Sequence, residues 1–394
     1  MNTDTLSLPR IPMPDPMLLG LGVALLAVGL IAISSASIEY AEWHYDNAWY
    51  HTQRHLVYLA LALTVALACY SVKPEFWRNA GWVLLFIALA LLILVLMPGV
   101  GREVNGSQRW LPLGPFTLQP SELAKLAIVI YLAGYMVRRE DEVRREWLGF
   151  LKPLGVVGIT VLLLMLEPDF GATVIVAGAA FGMLFLAGVH LGHFLLVLGG
   201  ALGALAAMIV MEPYRWKRLT AYIDPWADPY GAGFQPIQSM IAFGRGEWTG
   251  VGLGNSVQKL FYLPEAHTDF VYSIWAEEMG FAGAVIVIAL YAALIGRIFW
   301  SGRAALAAGN PFGAYVCYGV GLIFAGQAFV NMGVSSGLLP TKGLTLPFVS
   351  YGGTSLIICC AMLAIVLRID NESRQAVAPA KSPRRRASAR KGDA

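Results

Sequence analysis

Apolar residues run in long blocks along most of the chain, at 17–33, 56–70, 80–97, 123–137, 154–166, 171–189, 194–211, 271–295, 315–334 and 348–367. An amphipathic helix of a soluble protein would break such runs with polar positions every three or four residues. Several blocks fall short of the roughly 18 residues of a clear span, and their polar flanks supply the missing length. The pattern predicts an all-α polytopic membrane protein of about ten transmembrane helices, with a large extracytoplasmic loop at 212–270 between helices 7 and 8. The period-two alternation of a transmembrane β-barrel is absent. Composition agrees, because 57% of residues are hydrophobic and 13% charged, against about 25% charged in soluble domains.

Charge sets the orientation. With both termini cytoplasmic, the short inner loops hold Lys73, Arg78, Arg138, Arg139, Arg144, Arg145, Lys152, Arg297 and Arg303, and Arg10 precedes the first span. The short outer loops then hold only Arg54, Arg102, Arg109 and Lys342. The predicted organisation is a cytoplasmic segment 1–16, a membrane domain 17–367 and a basic cytoplasmic tail 368–394. That tail carries eight Lys/Arg against three acids and is rich in Pro, Ala and Ser, a composition that predicts disorder and an attraction to anionic membrane lipids. The four cysteines fall in predicted spans and show neither disulfide nor metal spacing.

Three outer segments, 99–126, 212–270 and 337–355, are dense in Gly and Pro. Non-helical backbone near membrane depth is tolerated where it lies against protein or lines a wet cavity, so a polar cavity opening outward is expected. Lys125, one turn beyond Ser121 and Glu122, is a charge inside a predicted span. It either pairs with Glu122 as a structural bridge or lines that cavity and meets an anion. Arg102 and Arg109 flank a Gly-rich loop and could grip phosphate bidentately or stay solvated. Asp169 stands where a helix cap belongs, and Glu167 is harder to explain that way. The alternating Gly250, Gly252 and Gly254 lack the Lys-Ser/Thr ending and the strand–helix frame of a nucleotide site. His190 and His193 have no third ligand nearby, which favours interfacial histidines over a metal site.

The densest chemistry is FYLPEAHTDFVYSIWAEE, 261–278, at the mouth of the eighth span. Pro264 breaks any preceding helix, and Glu265, His267 and Asp269 then lead into the span, with Lys259 approaching from the same loop. Asp269 could cap the helix or act as a general base beside anion-binding groups. At least one of Glu277 and Glu278 should face inward and need a cationic partner.

The motifs NGSQRWLPLGPFTLQPSELAK, DPWADPYGAGFQPIQS, GVGLGNSVQKLFYLPEAHTDFVYSIWAEEMG and GLLPTKGLTLPFVSYGGTS cover much of the chain. With them the sequence resembles the shape, elongation, division and sporulation family of membrane glycosyltransferases, and its division branch more than its elongation branch. The resemblance implies a ten-helix polymerase that turns lipid II into β-1,4-linked glycan, releasing undecaprenyl pyrophosphate, in septal cell-wall synthesis. It implies Asp269 as the essential catalytic residue. It also implies a substrate groove of Arg102, Arg109, Glu122, Lys125, Lys259, Glu265, His267, Glu277 and Ser350. Implied partners are lipid II, a class B penicillin-binding transpeptidase of the FtsI type, the FtsQ-FtsL-FtsB complex and membrane lipids, with no nucleic acid. A divalent cation, Mg or Mn, is an optional cofactor, and the expected place is the bacterial cytoplasmic (inner) membrane at the division septum. A lipid II flippase or transporter and a non-catalytic division scaffold are the alternative readings.

Overall fold

The computed structural model describes residues 14–104, 107–114, 116–211, 216, 220–341 and 343–377. Twelve α-helices follow one another in it: α1 (Pro16–Tyr45), α2 (Tyr50–Ser71), α3 (Pro74–Leu96), α4 (Pro120–Arg138), the short α5 (Glu140–Arg145), α6 (Trp147–Leu166), α7 (Phe170–Leu186) and α8 (Leu191–Met211), then α9 (Phe234–Gly246), α10 (Val271–Ala307), α11 (Pro311–Ser335) and α12 (Gly353–Val377). Nine of these described helices are long and apolar enough to cross a membrane, and the 17-residue α7 is a shorter apolar helix. Together they account for the ten expected spans.

The helices outrun their apolar blocks because their ends carry helix-start chemistry. Pro16, Pro74, Pro120 and Pro311 each occupy the first turn, where the missing N–H costs nothing. Asp15 caps α1 by accepting from the Met17 N–H at 3.0 Å, and Asn310 caps α11 through the Gly313 N–H at 2.9 Å. α4 and α12 form the interior, each with 83% of its spanning window buried. α8 is nearly bare, with 6% of its window covered, so its apolar surface belongs to lipid.

Two features depart from the expected organisation. The first outer segment is not only turns: β1 (Arg102–Val104), β2 (Ser107–Leu113) and β3 (Phe116–Leu118) form an antiparallel sheet in sequential order. Strands of three to seven residues leave too little alternation to be recognised by pattern. The second concerns the boundary at 367, because α12 continues to Val377. Its polar residues find partners across the bundle: Arg374 meets Asp15 at 2.5 Å, Asp370 accepts from Ser301 at 2.7 Å, and Asn371 donates to the Tyr70 hydroxyl at 2.6 Å. The rest of the expected tail, 378–394, most of the segment 1–16 and Lys342 lie outside the described residues.

Candidate active site

The long outer segment is built around a break in α10. Gly280 takes φ 68° and ψ −169°, which interrupts the helical ladder one turn after Glu277. The 247–252 loop docks into the gap. The N–H groups of Val251 and Gly252 donate to the carbonyls of Glu277 and Glu278 at 3.0 Å each, and those of Phe281 and Ala282 donate to Glu247 and Trp248 at 2.8 and 3.2 Å. Gly250, at φ 82°, lies so close that a Cβ would stand 2.1 Å from the Glu278 carbonyl oxygen. Of the alternating glycines, Gly250 therefore serves backbone docking.

That docking buries both carboxylates just before the break, Glu277 and Glu278. Glu277 accepts from Ser256 Oγ at 2.5 Å and from the N–H groups of Val257 and Gln258 at 3.1 and 3.3 Å, with Arg245 at 3.5 Å. Glu278 accepts from Ser35 Oγ on α1 at 2.6 Å and pairs with Lys259 at 3.2 Å. Lys259 Nζ also donates to the Gly254 carbonyl at 2.7 Å. Both glutamates face inward and both have a cation, as expected. Lys259, expected to approach from the same loop, has its ammonium held by Glu278, Ser35 and the Gly254 carbonyl.

Residues 264–270 form a turn leading into α10. The Glu265 carbonyl gathers the N–H groups of Thr268, Asp269 and Phe270 at 3.1 to 3.2 Å, with Glu265 itself at φ 57°. Its exposed carboxylate accepts from Thr268 Oγ1 at 2.7 Å. The N-cap of α10 is Phe270, which makes no side-chain capping hydrogen bond, so Asp269 does not hold the cap position. The Asp269 side chain is half-buried and lies beside Gly343 of the third outer segment, whose Cβ position is 2.9 Å from Asp269 Oδ2. His267 packs against His51, Tyr40 and Tyr351, with ring centroids 4.8, 5.2 and 5.7 Å away. Burial pushes its imidazole down to about 4. At neutral pH it is an uncharged ring and offers no cation.

The remaining expected groove residues, Arg102 apart, are held by partners within the protein. Lys125 and Glu122 form a 2.7 Å ion pair on α4, with side chains 1% and 6% exposed, which is the structural-bridge reading. Arg109 donates from Nε to the Glu167 carbonyl at 3.3 Å and from Nη2 to the Pro168 carbonyl at 2.5 Å, clamping the α6–α7 turn. Asp169 caps α7 through the Ala172 N–H at 3.1 Å and accepts from Ser121 Oγ at 3.1 Å. The Glu167 carboxyl in that turn is buried, and desolvation ahead of its neighbour Asp169 pushes it up to about 8. Ser350 Oγ accepts from the Leu346 N–H at 2.8 Å, closing the 346–350 turn. Arg102 is exposed on β1. Glu265, His267 and Asp269 thus come together on one turn, and Tyr351 ties that turn to the 346–351 segment by donating to the His267 carbonyl at 3.0 Å.

Three residues outside the expected set complete the site. Ser35 joins Glu278 and Lys259, Gly343 borders Asp269, and Asn331 donates to the Asp269 carbonyl. An Asn inside an apolar span is a recognisable signal, whereas Ser35 and Gly343 give none in the sequence. Among the described residues no group of three or more His, Cys, Asp or Glu side chains is placed to hold a metal ion by itself.

A profile described as "Cell cycle protein", covering FtsW, RodA and SpoVE, matches residues 16–375. The chain belongs to this family. It is 52% identical over 372 residues to the probable peptidoglycan glycosyltransferase FtsW of Hahella chejuensis, covering 94% of this chain and 92% of that protein. To the similarly named protein of Nitrosococcus halophilus it is 53% identical over 365 residues, covering 92% and 94%. Among solved structures, it resembles a chain of a peptidoglycan synthase complex that coordinates polymerization and crosslinking, at TM-score 0.74 and 34% identity, over 92% of this chain and 99% of that one. It also resembles the rod shape determining protein RodA of Thermus thermophilus, at TM-score 0.67 and 29% identity, over 91% and 97%. Family membership makes this a multi-pass membrane protein.

Proposed function

We propose that this chain is a peptidoglycan glycosyltransferase of the division branch, polymerising lipid II with Asp269 as general base. The observation that carries the base assignment is the position of Asp269. It is a half-buried carboxylate on a rigid turn at the mouth of α10, and it does not hold the cap position of that helix. The resemblance to proteins named peptidoglycan glycosyltransferase supplies the substrate class.

In this reading the acceptor sugar hydroxyl gives its proton to Asp269 as its oxygen attacks the anomeric carbon of the donor. A new C–O bond forms, the C–O bond to pyrophosphate breaks, and the bonding pair leaves with the undecaprenyl pyrophosphate. The leaving group is already good, so one carboxylate suffices, and a single displacement inverts the anomeric centre. The lipid stays in the bilayer while its sugar-phosphate head reacts at the outer surface. Arg102, exposed at the edge of the sheet, is the basic residue we assign to the pyrophosphate. Lys125 and Lys259 are occupied by Glu122 and Glu278.

Purified protein given lipid II in detergent should release undecaprenyl pyrophosphate and build β-1,4-linked glycan. A flippase or a scaffold would leave lipid II intact under the same conditions. The chain's similarity to part of a peptidoglycan synthase complex supports a crosslinking partner, which we take to be a class B transpeptidase, with septal placement in the inner membrane.

The proposed orientation puts residues 220–270 outside. Tyr230, 93% exposed, is the position to label, because the native cysteines are all buried. Tyr230→Cys should react with an impermeant maleimide in intact spheroplasts, and Asp141→Cys, exposed in α5, should react only after lysis. The opposite pattern would invert the topology and remove Asp269 from the outer face.

A further inference from the structure

Asp269 sits on a turn, not on a regular element, so something other than a helical ladder must fix its carboxylate. Asn331 lies one turn before the end of α11 and is 2% exposed. Its Nδ2 donates to the Asp269 carbonyl at 2.8 Å and to the Leu344 carbonyl at 2.6 Å. Two carbonyl acceptors on one atom settle which end of the amide is nitrogen, since an oxygen there would face only other oxygens. The two carbonyls come from different outer segments, the 264–270 turn and the 343–347 stretch. One amide therefore closes them against each other at the point where Gly343 meets Asp269 Oδ2. Gly343 carries no side chain at this close approach. What it supplies is space beside the carboxylate.

We propose that Asn331 is a positioning residue for the reaction: it clamps the Asp269 turn to the 343–347 segment and so aims the Asp269 carboxylate at the acceptor hydroxyl. This rests on the reading of Asp269 as general base. Asn331 itself touches backbone and need not touch substrate. Its loss should therefore act on turnover rather than on substrate capture.

The test is steady-state polymerisation of lipid II by the purified full-length variants. Asn331→Ala should lower kcat by roughly 10- to 100-fold, the scale of a misplacement of about 1 Å, with KM moved less than about threefold. In an Asp269→Asn background the same change should leave the residual rate as it was, because two residues acting through one step are not additive. A purely structural role would instead multiply the two losses and overturn the proposal, as would an Asn331→Ala enzyme with wild-type kcat. Should Asn331→Ala fail to fold, Gly343→Ala decides. It keeps the amide and both of its bonds, crowds the Asp269 carboxylate, and should show the same selective fall in kcat. Wild-type turnover by Gly343→Ala would then sink the clamp. The underlying assignment fails separately, through an Asp269→Asn enzyme that polymerises normally.

Discussion

Asp269→Asn should lower glycan synthesis by roughly 10²-fold or more, the scale expected when a general base is removed. The substitution keeps the size of the side chain and most of its hydrogen bonding, and it removes the ability to take a proton near neutral pH. The neighbourhood should survive it. Phe270, not this residue, holds the cap position of the helix that follows, and the turn is held by backbone bonds to the Glu265 carbonyl and by Asn331 on the Asp269 carbonyl. The melting temperature should accordingly stay near that of the wild type. Lipid II binding should also survive, because the base acts on the acceptor hydroxyl and not on the pyrophosphate. Both are measured on the purified variant, binding by retention of labelled lipid II and synthesis by product gel. Normal polymerisation would remove the assignment and leave Glu265, exposed on the same turn, as the next carboxylate to test.

Lys125→Met should be the most damaging change to stability. Lys125 and Glu122 are three residues apart on α4, their charges 2.7 Å apart and shielded from solvent by the interior of the bundle. Removing one partner strands the other as a buried charge, which typically costs about 3–5 kcal/mol. Expression and melting temperature in detergent should both fall. The double variant Glu122→Gln with Lys125→Met removes both charges together, and it should recover most of the loss. A single variant as stable as the wild type would contradict the structural pair. A double variant that regains its fold without regaining polymerisation would place Lys125 in the substrate groove after all.

The two substitutions probe different degrees of legibility in the sequence. Asp269 could be singled out because a carboxylate, a Pro and a span start fall within a few consecutive residues. The cap reading was removed only by the observed helix start at Val271 behind Phe270. For Lys125 the local spacing to Glu122 already contained the pair, and burial decided between the pair and an open cavity. Lys259 was legible as a charge near the site, and only the fold gave it Glu278 as its partner.

The sequence alone determined the membrane class, the ten apolar helices and the Gly/Pro-rich outer segments, because these depend on length, hydropathy and local backbone chemistry. It also carried the family resemblance, through motifs that are contiguous in the chain. Only the tertiary structure decided which charges are paired inside the protein, as Lys125 is with Glu122 and Lys259 with Glu278. Ser35 and Glu278 are 243 residues apart, Lys259 and Ser35 are 224 apart, and Asn331 and Asp269 are 62 apart. A hydrogen bond reaches about 3 Å in space whatever its separation along the chain. Partners brought together by helix packing therefore leave no local pattern to read.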